Sequence, residues 1–138
     1  MNVDEFDIAR IHDWLSVQSY WAQGRTLETM RDAMAGSRNY GVFDENGEQV
    51  AFARVVTDGV LFGWMADVFV DRSVRGQGAG VALVAGIVDD VKHLGLKRFA
   101  LFTADAHGLY EKFGFTALPD PEGWMVRKGR GYGEDLAP

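Results

Sequence analysis

The sequence predicts a single mixed α/β domain with a mixed sheet, and three observations carry that reading. Short alternating runs fill the first half, one long amphipathic segment opens behind a glycine-rich turn, and a compact apolar run follows that segment directly. With 138 residues, 47% apolar and 25% charged, the chain has the size and composition of one domain with its own core. No Pro/Ser linker and no repeat divides it, so one domain is expected over 1–128. The last ten residues, GRGYGEDLAP, lose the apolar pattern, and 129–138 is expected to be a loosely held tail.

Ile8, Ile11 and Leu15 recur at helical spacing behind Asp7, a capping residue type. Leu27, Met30 and Met34 do the same behind Thr26, with Gly36 as a stop, so helices are expected near 8–17 and 27–35. β-prone runs at 40–43 and 50–56 flank the turn Asp44-Glu45-Asn46-Gly47. Asp58-Gly59 separates the second run from a third at 60–70, which makes an antiparallel meander. Val84, Ile87, Val88, Val91 and Leu94 then line one face of a helix over about 79–94, with Gly95 at its C-terminal stop. The apolar run 99–102 completes a strand, helix, strand unit whose two strands should be parallel. Asp105 is expected to cap a further short helix through Tyr110 to Lys112, ended by Gly114. Runs at 115–118 and 124–126 are expected as closing strands, giving the order ααββ(β)αβαββ.

Composition excludes several function classes. Fourteen basic against twenty acidic residues give a net charge of −6, which opposes broad attachment to nucleic acid or to an anionic membrane. No cysteine is present, so thiol nucleophiles, thiolate metal sites and disulfides are excluded. His12, His93 and His107 have no metal-ligand spacing, and no metal is expected. The opening MNVDEFDIAR lacks the pattern of a signal peptide, and no window reaches the roughly 18 apolar residues of a membrane span. The cytoplasm is the expected compartment.

The most informative segment is VFVDRSVRGQGAG, where Arg72 and Arg75 precede Gly76, Gly78 and Gly80 at the start of the long helix. Glycines let such a turn bring its amides close to a ligand, and a helix N-terminus carries roughly half a positive charge, so a phosphate group is the natural guest. The alternative is a glycine-rich turn that only redirects the chain. A Walker A loop is excluded because Gly80 is followed by Val81 and Ala82 instead of Lys and Ser/Thr. The dinucleotide fingerprint fails because the place of its third glycine is Val81.

The segment Arg75-x-x-Gly78-x-Gly80 behind Val68-Phe69-Val70, followed at the right distance by Leu109-Tyr110-Glu111-Lys112-Phe113-Gly114-Phe115, resembles the GNAT superfamily of acyl-CoA-dependent N-acetyltransferases. The match in order and spacing covers 61–118, and it looks like the small stand-alone bacterial members. The resemblance implies an enzyme that moves acetyl from acetyl-CoA to a primary amine of a small molecule, by direct attack in a ternary complex. It implies that the amides of Arg75, Gly76, Gln77, Gly78, Ala79 and Gly80 hold the CoA pyrophosphate, and that Val68, Phe69 and Val70 pair with the pantetheine arm. Tyr110 is implied as the general acid for the thiolate.

The general base is where the pattern departs from the family, since the places of the family's Glu hold Ala66 and Trp64. Asp67 is the nearest carboxylate and the candidate base or amine-binding anion. Its other reading is a buried structural carboxylate held by an arginine such as Arg54; water relay, or an amine that arrives neutral, serves equally well. The place of the family's pantetheine-contacting Asn holds Thr103, and either Thr103 or Asp105 takes over the contact or the contact is absent. Family layout directs the acceptor pocket to Tyr20, Trp21, Arg25, Arg54 and Trp64. A non-catalytic acyl-CoA-binding module and a protein-amine acetyltransferase are the alternatives, and the resemblance leaves room for a homodimer.

Overall fold

The computed structural model describes residues 6–129, in the order α1 (Ile8–Asp13), a π-helical turn (Trp14–Gln18), α2 (Leu27–Ala35), β1 (Arg38–Phe43), β2 (Gln49–Thr57), β3 (Phe62–Val70), a 3-10 turn (Arg72–Val74), α3 (Ala79–Lys92), β4 (Arg98–Leu101), α4 (His107–Glu111) and a 3-10 turn (Pro121–Gly123). Apart from Gly129, the expected tail lies outside the described residues. The caps form where side-chain chemistry allows: Asp7 accepts from the Arg10 amide and Thr26 from the Thr29 amide. The meander turns are held in the same way, with Asp44 Oδ1 accepting from the amides of Asn46 and Glu48, and Asp58 Oδ1 from those of Val60, Leu61 and Phe62.

The four strands form one mixed sheet in the order β1-β2-β3-β4, antiparallel throughout except for the parallel pair of β3 and β4. Alternation along β2 distributes two cores. Phe52 faces α1 and α2 with Ile11, Trp14, Leu15, Met30 and Met34, while Ala51, Ala53 and Val55 face α3 through Leu83, Val84, Ile87 and Val91. Small residues on the second face let α3 lie close to the sheet.

Two expectations are corrected. Residues 115–118 and 124–126 form no strand, because Gly114 turns the chain at φ +90 and Pro119 and Pro121 punctuate the stretch between them. Phe115 packs instead on Phe99 and Tyr110, Trp124 lies under the Arg98 guanidinium, and Met125 is 96% exposed with no second face to bury it. Asp105 does not cap α4: the N-cap residue is Ala106, whose amide donates to Thr103 Oγ1 at 3.0 Å.

The feature that positions the site is a bulge in β3. Phe52 pairs with Phe69 and Arg54 with Ala66, so Asp67 and Val68 together oppose Ala53 alone. Asp67 absorbs the extra residue at φ +57, the left-handed region that favours glycine. The inserted residue reverses side-chain alternation, so that Met65 and then Val68 and Val70 share the α3 face, while Phe69 joins the opposite core.

The Asp67 side chain is fully buried and holds this conformation through three donors. Arg54 Nε approaches Oδ2 at 2.6 Å, Arg25 donates to the same oxygen at 2.7 Å, and Trp21 Nε1 donates to Oδ1 at 3.3 Å. Burial alone pushes the carboxyl up, but the charges and hydrogen bonds of Arg54 and Arg25 together outweigh it and hold the group below its ordinary value. Its share of stability is therefore complete above the ordinary carboxylate range and is lost as acid protonates it. Asp67→Ala is expected to cost about 3–5 kcal/mol by leaving two guanidinium groups uncompensated, read as a lowered midpoint of urea unfolding at neutral pH; a loss under about 1 kcal/mol would remove the ion pairs from the account.

Candidate functional site

Parallel pairing of β3 and β4 ends at Met65 with Leu101, while β3 continues for five residues to Val70. Past that point one edge of β3 has no strand beside it, and the two chains separate. A cleft of about 720 Å³ opens there, floored by Ala66 to Val70, with the turn before α3 on one side and Phe102, Thr103 and Asp105 on the other.

At one end of the cleft the chain enters α3 through Gly76 at φ +82 and Gly78 at φ +88, backbone states that other residues adopt only with strain. A Cβ at either position would meet nothing within 4 Å, so the space over these glycines is open. Gly78 is the N-cap and supplies no side chain to satisfy the first turn. The amides of Gly76, Gly78, Ala79, Gly80 and Val81 donate to no group among the described residues, while those of Gln77 and Ala82 bond to Val74 and Gly78. Unpaired amides converging at a helix N-terminus form an anion site, here with Arg75 beside it. Arg75 Nε donates to the Val70 carbonyl at 3.0 Å, and its guanidinium lies 5.1 Å from the centre of the Phe69 ring, which fixes its place at the end of β3.

Tyr110 reaches the cleft from α4. It is 6% exposed, its ring packs edge-on against Phe115, and its hydroxyl makes no hydrogen bond among the described residues. Burial, with smaller contributions from the Asp105 charge and from Tyr20, pushes its pKa up to about 12, so it keeps its proton at neutral pH.

The wall opposite is the end of the π-helical turn and the residues that follow. Ser19 Oγ accepts from the Ala22 amide and donates to the Leu15 carbonyl, turning the chain so that Tyr20 and Trp21 meet edge to face at 4.9 Å. Arg72 ties this wall to the far side of β3 by donating to the Gln18 carbonyl at 3.3 Å.

The structure thus brings Tyr20, Trp21, Asp67, Val68, Phe69, Val70, Arg75, Gly76, Gly78, Ala79, Gly80, Thr103, Asp105 and Tyr110 to one cleft. Four expected residues stand apart from its lining. Gln77 points its amide into its own turn, Trp64 lies further back on β3 opposite Val56 and Ala100, and Arg54 is drawn to Asp67. Arg25, also expected there, is likewise held on Asp67. Sequence reasoning missed Gln18, Ser19 and Phe102. Phe102 was legible as an apolar residue just beyond a strand end, whereas Gln18 and Ser19 depend on a π-helical turn for which the sequence offers no signal. Among the described residues no group of three or more His, Asp or Glu side chains is arranged to hold a metal ion, and no helix is long and apolar enough to cross a membrane.

Comparison with known proteins agrees with this geometry. A crystal structure of a GNAT-family acetyltransferase from Xanthomonas campestris pv. campestris superposes with a TM-score of 0.88 at 39% identity, covering 95% of this chain and 92% of that one. Two curated relatives are the GCN5-related N-acetyltransferase 1, chloroplastic, of Arabidopsis thaliana, 33% identical over 61% of this chain, and the serotonin N-acetyltransferase 2, chloroplastic, of Oryza sativa subsp. japonica, 37% identical over 54%. The matched regions span 43% and 38% of those two proteins. The family model described as acetyltransferase (GNAT) family matches residues 8–115, and the chain belongs to that family.

Proposed function

We propose that this chain, as one domain over 1–128, transfers acetyl from acetyl-CoA to a primary amine of a small molecule by direct attack in a ternary complex. The observation that carries the reading is the set of undonated amides of Gly76, Gly78, Ala79, Gly80 and Val81, which opens directly onto the bare edge of β3 and the Tyr110 hydroxyl. The amides and Arg75 hold the CoA pyrophosphate, and the edge of Val68 to Val70 receives the pantetheine arm as an added strand would be received. Those two anchors bring the thioester to the point where β3 and β4 part.

The chemistry then needs a neutral amine, a polarised carbonyl and a stabilised leaving group. The amine nitrogen attacks the acetyl carbon, the C–N bond forms, and the C–S bond breaks with its electron pair on sulfur. A phenol at about 12 is a weaker acid than a thiol near the usual 8.5, so Tyr110 begins as a hydrogen-bond donor to the growing sulfur charge. Its proton passes to sulfur as the attacking nitrogen becomes cationic, and the nitrogen's surplus proton leaves through water to restore the phenol. Asp67 is a poor base for that proton, since two arginines already hold its charge. Its supported role is to fix the bulge, and water is the acceptor.

The same commitment of Asp67 favours one second reading, an acyl-CoA-binding module without turnover. Calorimetric titration with acetyl-CoA, with NADH as control, tests the shared part: saturable one-to-one binding of acetyl-CoA alone is expected, and its absence in folded protein overturns both readings. Turnover of an amine panel, followed by release of free CoA thiol, separates them. Tyr110→Phe is expected to lower kcat by about a hundredfold or more with acetyl-CoA affinity little changed; equal activity removes Tyr110 from the mechanism. Gly78→Glu is expected to do the reverse, placing a carboxylate where the phosphates dock. Unchanged affinity in a variant with native circular dichroism sinks the loop assignment.

A further inference from the structure

Four charged side chains line the cleft, and three are committed. Asp67 is paired with both Arg25 and Arg54, Arg72 donates to the Gln18 carbonyl, and Arg75 donates to the Val70 carbonyl beside the glycine turn. Asp105 is the exception: its carboxylate has no ion pair or hydrogen bond among the described residues. It stands on the turn between β4 and α4, which Thr103 braces by accepting from the Ala106 amide. The unpartnered Tyr110 hydroxyl lines the same cleft, buried but open to it, and its raised pKa registers both the Asp105 charge and Tyr20, so the three groups are electrostatic neighbours. Around them the walls are aromatic, with the Tyr20 and Trp21 pair on one side and Phe102, 50% exposed, on the other.

Resting on the acetyltransferase reading, we propose that Asp105 receives the ammonium group of the acceptor while Tyr20, Trp21 and Phe102 hold an apolar, aromatic body, so that the acceptor is a cationic arylalkylamine-type molecule. The cleft is then polarised along its length. Free amides and Arg75 at the α3 end suit the anionic cofactor, and an uncompensated carboxylate at the α4 end suits a cation. Acceptors that carry phosphate find no free cation among the described residues that line that end and are repelled by Asp105. The relative named for serotonin, an alkylamine on an aromatic ring, fits this class. Asp105 also has a competing role as a pantetheine contact, and the two roles separate by experiment.

The test is calorimetric titration of wild type and Asp105→Asn, each saturated with CoA, using 2-phenylethylamine, which is cationic at neutral pH, and phenylhydrazine, which is neutral there and of similar shape. Asp105→Asn is expected to weaken 2-phenylethylamine binding on the order of tenfold, the scale of a charge-assisted hydrogen bond, and to leave phenylhydrazine and CoA binding unchanged, with Asp105→Glu recovering most of the loss. In turnover the same variant should raise KM for 2-phenylethylamine more than it lowers kcat. No binding of 2-phenylethylamine to wild type, equal losses for both amines, or a weakened CoA titration each overturns the proposal, the last by making Asp105 a cofactor contact. Failure of wild type to bind CoA removes the acetyltransferase reading itself, so the two failures are told apart by the first titration.

Discussion

Asp67 occupies left-handed backbone in the middle of a strand, a state that costs a non-glycine residue on the order of 1–3 kcal/mol, and it is kept there by two arginines that close on one buried carboxylate oxygen. Three consequences follow from that arrangement. The bulge reverses the alternation of β3, which sends Val68 and Val70 to the α3 core and Phe69 to the other. It bends the strand at the place where β4 stops pairing, which leaves an edge free. And through Arg25 and Trp21 it fastens the wall of the cleft that follows the π-helical turn, since both side chains reach Asp67 from that connection. One carboxylate thus couples strand geometry to the position of an aromatic wall that the local sequence would not hold alone.

The glycine turn solves a different problem. An α-helix entered without a capping side chain exposes its first amides, which is unfavourable unless water or a ligand satisfies them. A Ser or Asp at Gly78 would cap the turn, close the anion site and strain the backbone at φ +88 together. Glycine leaves the donors free and the space above them empty, and Arg75, tied back to the Val70 carbonyl, adds charge without filling that space.

Local chemistry made much of this legible. The caps at Asp7 and Thr26, the turns at Asp44 and Asp58, the face of α3 and the glycine turn each depend on residues within a few positions of one another, and the described structure has each of them. What the sequence hid was set by distance. The closing strands at 115–118 and 124–126 have the right propensity, but a strand needs backbone pairing along an edge, and with Pro119 and Pro121 between them the two runs touch β4 only through side chains, Phe115 on Phe99 and Trp124 under Arg98. Arg54 and Trp64 were assigned to the acceptor pocket from layout; Arg54 is claimed by Asp67, and the register of β3 carries Trp64 away from the cleft. Asp67 itself was weighed both as a base and as a carboxylate held by Arg54. The tertiary arrangement, which adds Arg25 from 42 residues away, has the carboxylate held by both arginines.

That pairing bears on the charge of the whole site. A carboxylate in the floor of the cleft, if left free, would compete with Asp105 for any incoming cation and would hold an ammonium group in its protonated, non-nucleophilic form close to the thioester. Two guanidinium groups on Asp67 outweigh its negative charge while keeping its structural function, and burial prevents water from weakening the pairing. The uncompensated negative charge of the cleft then lies at its outer turn, on Asp105, where a cationic amine is attracted but not trapped at the reaction centre. A negative mouth and a floor without free negative charge are compatible demands only if the two carboxylates have opposite environments, and the fold supplies them from Arg25 and Arg54 at the floor and one exposed turn at the mouth.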